Sequence, residues 1–193
     1  MTKLILGLVL FLGAHSIRIF AEDFRTRLRE RLGPGGYKGL YSLLSLAGLV
    51  LIVMGYGETR ATPVDLWMPP RGMAHATSLL TLFSFILLAA AQVPGNHIKA
   101  AVGHPMVLGV KVWAFAHLLS NGRLADIVLF GTLLVWAVLD FRAARRRDKA
   151  EGVTRAAGSG AKTGITVVAG IVAWAAFAFY LHAVLIGVQP MGG

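Results

Sequence analysis

Six histidines and one isolated lysine carry the chemistry of this chain, and two of the histidines, His104 and His117, bracket a hydrophobic run at 103–122. The run is apolar enough to cross a bilayer, yet it holds two imidazoles and the ammonium of Lys111. Ionisable groups at membrane depth cost several kcal/mol unless something satisfies them, so each is a functional candidate with a partner to be found. Imidazole is the commonest metal ligand among side chains and an axial ligand of haem iron. Against this stands a simpler use, a histidine donating one hydrogen bond to a neighbouring helix. Thirteen residues at helical spacing leave His104 and His117 roughly 140° apart, so they cannot easily hold one metal between them. His104 instead shares a face with Lys111. His104 precedes Pro105, a favoured first helical residue, which predicts a helix-start or mouth role for it. Trp113 lies one turn before His117 on the same face, where it would wall a cofactor or pack against the next helix. Asn121-Gly122 reads as a helix stop.

These residues need a frame that holds them at depth. The chain has 193 residues, 56% of them hydrophobic and 15% charged, with a mean hydropathy of +0.68. A soluble domain would be more polar. Apolar stretches occur at about 3–20, 38–56, 73–93, 104–120, 124–141 and 164–188. They lack the alternation of barrel strands, and only helices otherwise satisfy their own backbone in lipid. The expectation is an all-α, polytopic membrane bundle of about six transmembrane helices forming a single domain over 1–193. The N-terminal run reads as a retained span, since it has no small-residue cleavage site before Arg18. The segment 151–163, small, polar and glycine-containing, reads as a flexible linker.

The absence of cysteine excludes disulfides, thiolate metal sites and cysteine nucleophiles. The formal net charge of +10 sits beside apolar spans without interleaved aromatics, which argues for an anionic membrane surface and against nucleic acid. The basic residues gather in two loops, Arg18 to Lys38 and Arg142 to Lys162, against Lys3, Arg60, Arg71 and Arg123 on the other side. The positive-inside rule then places both termini on the non-cytoplasmic side. Arg25 to Arg31, with acidic neighbours, reads as a short helix along the membrane surface. In this orientation His15 lies in the cytoplasmic half of the first span, and His104 at the cytoplasmic mouth of the fourth. His117 lies in its outer half, with His75 and His182 at similar outer depth, and His97 in a cytoplasmic loop. Lys111 falls near the bilayer centre, with a haem propionate, a lipid head group, backbone carbonyls or a wet crevice as its partner. No Ser-His-Asp set, phosphate loop or HExxH motif is evident, so hydrolytic and kinase chemistry have no support.

The pieces His104-Pro105-Met106, Gly109, Trp113, Ala116-His117 and Asn121-Gly122 resemble the NnrU family of small polytopic membrane proteins. Further matching pieces are Ala14-His15-Ser16 with Arg18, and Gly72-Met73-Ala74-His75. That family includes bacterial proteins associated with denitrification and the plant 15-cis-zeta-carotene isomerase. The resemblance implies a b-type haem held by His15 and His117; Trp113 and Lys111, from their face and depth, are further cofactor-binding candidates. It also implies isomerisation of a hydrophobic polyene, or a role in nitrite and nitric-oxide metabolism in a bacterial inner membrane. Lys111 stands where the isomerase has an uncharged polar residue, which points to the bacterial branch. Helical rise separates His15 from His117 by about 12 Å along the membrane normal, so His75 and His182 stand as alternative partners for His117. A non-catalytic accessory or assembly protein is a competing reading. A His-Pro-x-x-x-Gly start also resembles the isoprenylcysteine methyltransferase-like enzymes, whose preceding arginine is replaced here by Gly103.

Overall fold

The computed structural model describes residues 1–70 and 72–190; Arg71, one of the outer-side basic residues above, lies outside them. Helix α1 spans Thr2–Phe20, α2 Glu22–Thr59, α3 Met73–Gln92, α4 His97–Val102, α5 Pro105–Ser120, α6 Leu124–Ala150 and α7 Gly160–Ala176. A π-helical turn, Phe177–Leu181, then leads into α8, His182–Ile186. Among the described residues there is no strand, only the isolated bridges Asp65–Arg123 and Asn96–Ser159. The expected all-helical membrane bundle is what the chain forms. Among the described residues five stretches are long and apolar enough to cross a membrane: α1, α2, α3, α6 and the continuous Gly160–Ile186. Helix α5 has 16 residues, about 24 Å of helix against a hydrocarbon core of about 30 Å. The sixth expected span is therefore present as a helix but falls short of a full crossing by length.

Two sequence expectations meet detail here. The backbone breaks inside α2 at Gly33, with φ 69° and ψ 167°, a left-handed conformation that glycine adopts at no steric cost. Pro34 follows and restarts the helix. The break separates a charged arm, 22–32, from the apolar part that contains the expected span. The segment 151–163 is no loose linker. Val153 N donates to Asp148 O at 2.9 Å, and Ser159 N donates to Gly95 O at 2.8 Å. Gly158 packs so close to α4 that a Cβ there would lie 2.5 Å from the carbonyl carbon of Asn96. Its small residues serve close backbone approach, which composition alone reads as flexibility.

The chain divides into two compact units. The first comprises Met1–Trp67 and Gly122–Asp140. In it α1 and α2 pack closely through glycines: a Cβ on Gly7 would lie 2.6 Å from Ile52 N, one on Gly48 2.7 Å from Phe11 N, and one on Gly55 2.7 Å from Leu4 Cα. Small residues that let helix backbones approach are the membrane solution to association without a hydrophobic driving force. The buried Asp126 caps α6 from within its first turn. Its Oδ1 accepts from Tyr56 Oη at 2.5 Å and its Oδ2 accepts from Arg123 N at 3.1 Å.

The second unit comprises Met68–Asn121 and Phe141–Gly193 as divided, of which residues up to 190 are described. Helix α3 is its centre, packed on α5 and α7. Ser84 Oγ donates to Gly109 O at 2.8 Å, and Thr77 Oγ1 donates to Ala116 O at 2.9 Å. Such interhelical bonds contribute on average about 0.6 kcal/mol each in membranes, so here they set register more than stability. On the other side a Cβ on Gly170 would lie 2.6 Å from Ile86 Cα, and Trp174 Nε1 donates to Thr81 Oγ1 at 3.2 Å. Helix α4 replaces the expected loop at His97. Buried Asn96 caps it, its side chain accepting from Lys99 N at 2.7 Å.

Candidate functional site: a histidine-bearing aromatic cavity

Within the second unit, α3, α5, α7, the π-turn and α8 enclose a cavity of ≈ 230 Å³. Trp113 and His117 reach it from α5, Thr81 and Phe85 from α3, and Trp174 from α7. Phe177 and His182 close it from the π-turn and α8. Each arrives by a local cause. Trp113 and His117 share a face because they are one turn apart, and their ring centroids lie 4.6 Å apart. Asn121 ends α5, its Nδ2 donating to His117 O at 2.8 Å, so the expected helix stop also fixes the backbone that carries the imidazole. The π-turn shifts the helical register by one residue, and such insertions recur at functional sites. His182 follows it directly, with Phe177 edge-on at 5.9 Å.

The imidazoles have defined polarity. His117 Nδ1 lies 2.8 Å from Trp113 O, and His182 Nδ1 lies 2.7 Å from Val188 O. A carbonyl only accepts, so Nδ1 carries a hydrogen in both, and in the neutral ring Nε2 then carries the lone pair. His15 follows the same rule, donating from Nδ1 to Phe11 O at 2.7 Å. His15 belongs to the first unit. There its ring stacks on Phe11 at 4.2 Å, with Tyr41 at 5.1 Å and Trp136 edge-on at 5.9 Å. Trp136 Nε1 is buried and has no hydrogen-bond partner among the described residues, an orphan donor of the sort that a buried acceptor would satisfy.

The other expected residues fall elsewhere. His75 is exposed in the first turn of α3 and does not line the cavity. His104 stands at the N-cap of α5 with Pro105 at the first helical position, as its spacing from the proline predicts. Its side chain, however, does not cap. His104 Nε2 pairs with Asp148 Oδ2 at 2.8 Å, a carboxylate 44 residues away that sequence reading had not connected to it. The shared face of His104 and Lys111 is real, because both meet Phe141: the His104 ring edge-on at 6.3 Å, and Lys111 Nζ over the ring face at 6.0 Å. A cation over an aromatic face is worth about 0.5–2 kcal/mol, which offsets part of the cost of holding Lys111 at depth. No cluster of three or more His, Cys, Asp or Glu side chains that could hold a metal ion occurs among the described residues.

Asp148 lies beyond the apolar run of α6 and also meets the Arg155 guanidinium. Arg155 first, and His104 after it, hold the Asp148 carboxyl below the usual carboxylate range. A depressed folded value means a stabilising contribution that is complete above the unfolded carboxylate pKa of about 3.9 and is lost as pH falls through the folded value. Asp148→Asn is therefore expected to lower thermal stability in detergent at pH 6. The gap to the unsubstituted protein is expected to close as the pH is brought below about 3.9. A gap that persists unchanged at pH 3 would contradict the assignment.

The fold and site thus define a helical membrane protein with two imidazoles on one aromatic interhelical cavity. The chain belongs to the NnrU protein family, whose profile matches residues 3–190. No curated protein and no solved structure matched the chain.

Proposed function

We propose that this NnrU-family membrane protein binds a b-type haem with His117 as an axial ligand. The observation that carries the reading is the pairing of His117 and His182 on one aromatic cavity, each with Nδ1–H held by a backbone carbonyl. A second hydrogen bond that fixes the tautomer and raises ligand basicity is the usual support of a ligating histidine. The donor set fits iron in a porphyrin: neutral imidazoles, aromatic walls and no cysteine. The volume of ≈ 230 Å³ lies below the roughly 300–1,000 Å³ usual for ligand pockets. A macrocycle seated there requires the wall at Phe177 and Val188–Pro190 to move outward. Two imidazoles are candidates to hold the group together with His117. His182 lines the cavity of His117. His15 is the ligand that the family resemblance implies, and the orphan Trp136 Nε1 beside it supports an acceptor group there.

Haem would supply an iron that changes oxidation state and a flat apolar surface. The chain's part is to hold and orient the ring and to exclude water with Trp113, Trp174 and Phe177. Lys111, placed over Phe141 and away from the cavity lining, is not needed as a haem contact in this reading. The cavity walls favour a hydrophobic small molecule as the companion ligand. Isomerisation of a polyene, and a part in nitrite and nitric-oxide metabolism, rest on the family resemblance. The placement in a bacterial inner membrane with both termini outside rests on that resemblance and on the basic-residue asymmetry. In the competing reading the protein is a non-catalytic assembly factor, and it is favoured by one observation: the cavity of ≈ 230 Å³ is smaller than the usual ligand pocket.

The test is the absorption spectrum of the full chain, purified in detergent from haem-supplemented cells. A Soret band at near-stoichiometric intensity is expected. A protein that folds, stays monodisperse and shows no such band contradicts haem binding and leaves the assembly reading. Where the band is present, loss of its low-spin features in His182→Ala or in His15→Ala identifies the second ligand.

A further inference from the structure

Past the apolar run, α6 continues with a charged end, and the segment after it folds back over that end. Glu151 N donates to Arg147 O and Val153 N to Asp148 O, both at 2.9 Å. The Arg155 guanidinium reaches Asp148 across Gly103, where a Cβ would lie 2.7 Å from Arg155 Cζ. His104 takes the same carboxylate oxygen. Asp148 is thus committed to two partners.

The fold-back forms a pocket of ≈ 460 Å³ lined by Arg145, Arg146, Asp148, Lys149, Val153 and Arg155. Among the described residues Arg145, Arg146 and Lys149 form no ion pair. Gathering like charges without a counter-ion is unfavourable. The C-terminal end of a helix dipole, worth roughly half a negative charge, answers only a small part of three cations. Guanidinium forks match phosphate oxygens in bidentate geometry. The pocket follows directly on a membrane-crossing apolar run, which puts it at the depth of lipid head groups, where basic pockets bind anionic lipids.

We propose that this pocket binds the phosphodiester head group of an anionic glycerophospholipid. The proposal does not depend on the haem reading. Native mass spectrometry of the detergent-purified full chain, offered phosphatidylglycerol or phosphatidylcholine of identical acyl chains, tests it. A preference for phosphatidylglycerol on the order of tenfold is expected. It should vanish in Arg145→Gln/Arg146→Gln/Lys149→Gln and survive in Arg27→Gln/Arg29→Gln/Arg31→Gln, which removes as much charge elsewhere. Taking the ratio of the two lipids within each variant separates a lost pocket from a poorer fold, which lowers both lipids together. Equal loss of preference in the two variants, or no preference in the unsubstituted protein, overturns the proposal. A third arm uses inorganic phosphate alone. Thermal stabilisation by millimolar phosphate that the pocket variant loses, without any phosphatidylglycerol preference, assigns the pocket to free phosphate and overturns the lipid source.

Discussion

His117→Ala is expected to yield a folded membrane protein that co-purifies with less than about a tenth of the haem of the unsubstituted chain, a loss in the range known for removing a metal site's supporting interactions. The imidazole is half-buried on a cavity wall, so its removal enlarges a space that already exists. Two bonds that hold α5 to α3, Ser84 to Gly109 and Thr77 to Ala116, do not involve His117 and remain. What disappears is the Nε2 lone pair whose orientation the Trp113 carbonyl fixes. His104→Ala is the matched control: it deletes an imidazole from the start of the same helix and breaks the hydrogen bond to Asp148, away from the cavity. Haem content measured by the pyridine haemochrome assay is expected to fall in the first and hold in the second. Equal content in both, with secondary structure intact, contradicts ligation by His117.

The second large effect is steric. Gly55→Leu is expected to destabilise the α1–α2 pair at or beyond the upper end of the ~1–3 kcal/mol typical of overpacking. A Cβ at this position meets the backbone of α1 at Leu4 N and at Leu4 Cα, 2.7 Å away. Backbone atoms cannot swing aside as a flexible side chain can, so the helices must separate. Separation also loses the matching approaches at Gly7 and Gly48. Leucine raises the hydropathy of the span, so a failure to insert is not the cause of any loss. Gly57→Leu makes the same chemical change two residues on, where nothing lies within 4 Å. Thermal unfolding in detergent should show Tm several degrees lower for Gly55→Leu and nearly unchanged for Gly57→Leu. Equal shifts would mean that the close approach contributes little.

Much of the fold is legible in the sequence because a membrane helix is a one-dimensional signal. A run of apolar residues is marked along the chain, and 73–93 and 104–120 match Met73–Gln92 and Pro105–Ser120 almost end to end. The shared face of Trp113 and His117, and that of His104 and Lys111, follow from helical periodicity in the same way. Helix α4 carries a signal in the sequence: Pro94-Gly95-Asn96 ends one helix, and Asn96 then caps the next. Other features have no one-dimensional signature. His182 enters the cavity because a π-turn precedes it, and nothing in Phe177–Leu181 announces that turn. The bond of His104 to Asp148 joins residues far apart in the chain, and the meeting of Asp148 with Arg155 depends on a fold-back of 151–158, whose small residues imitate a flexible linker. Lys111 lies over Phe141, a partner beyond the propionate, head group, carbonyls and wet crevice expected for it, since an aromatic face is a partner that charge pairing does not suggest.

The most direct measurement is a titration of haem into the detergent-purified apoprotein, followed in the Soret region for the unsubstituted chain and for His117→Ala. The account predicts saturation at one haem per chain with the low-spin spectrum of bis-imidazole iron in the first, and only unsaturable partitioning in the second. Identical, non-saturating curves for both proteins would contradict it.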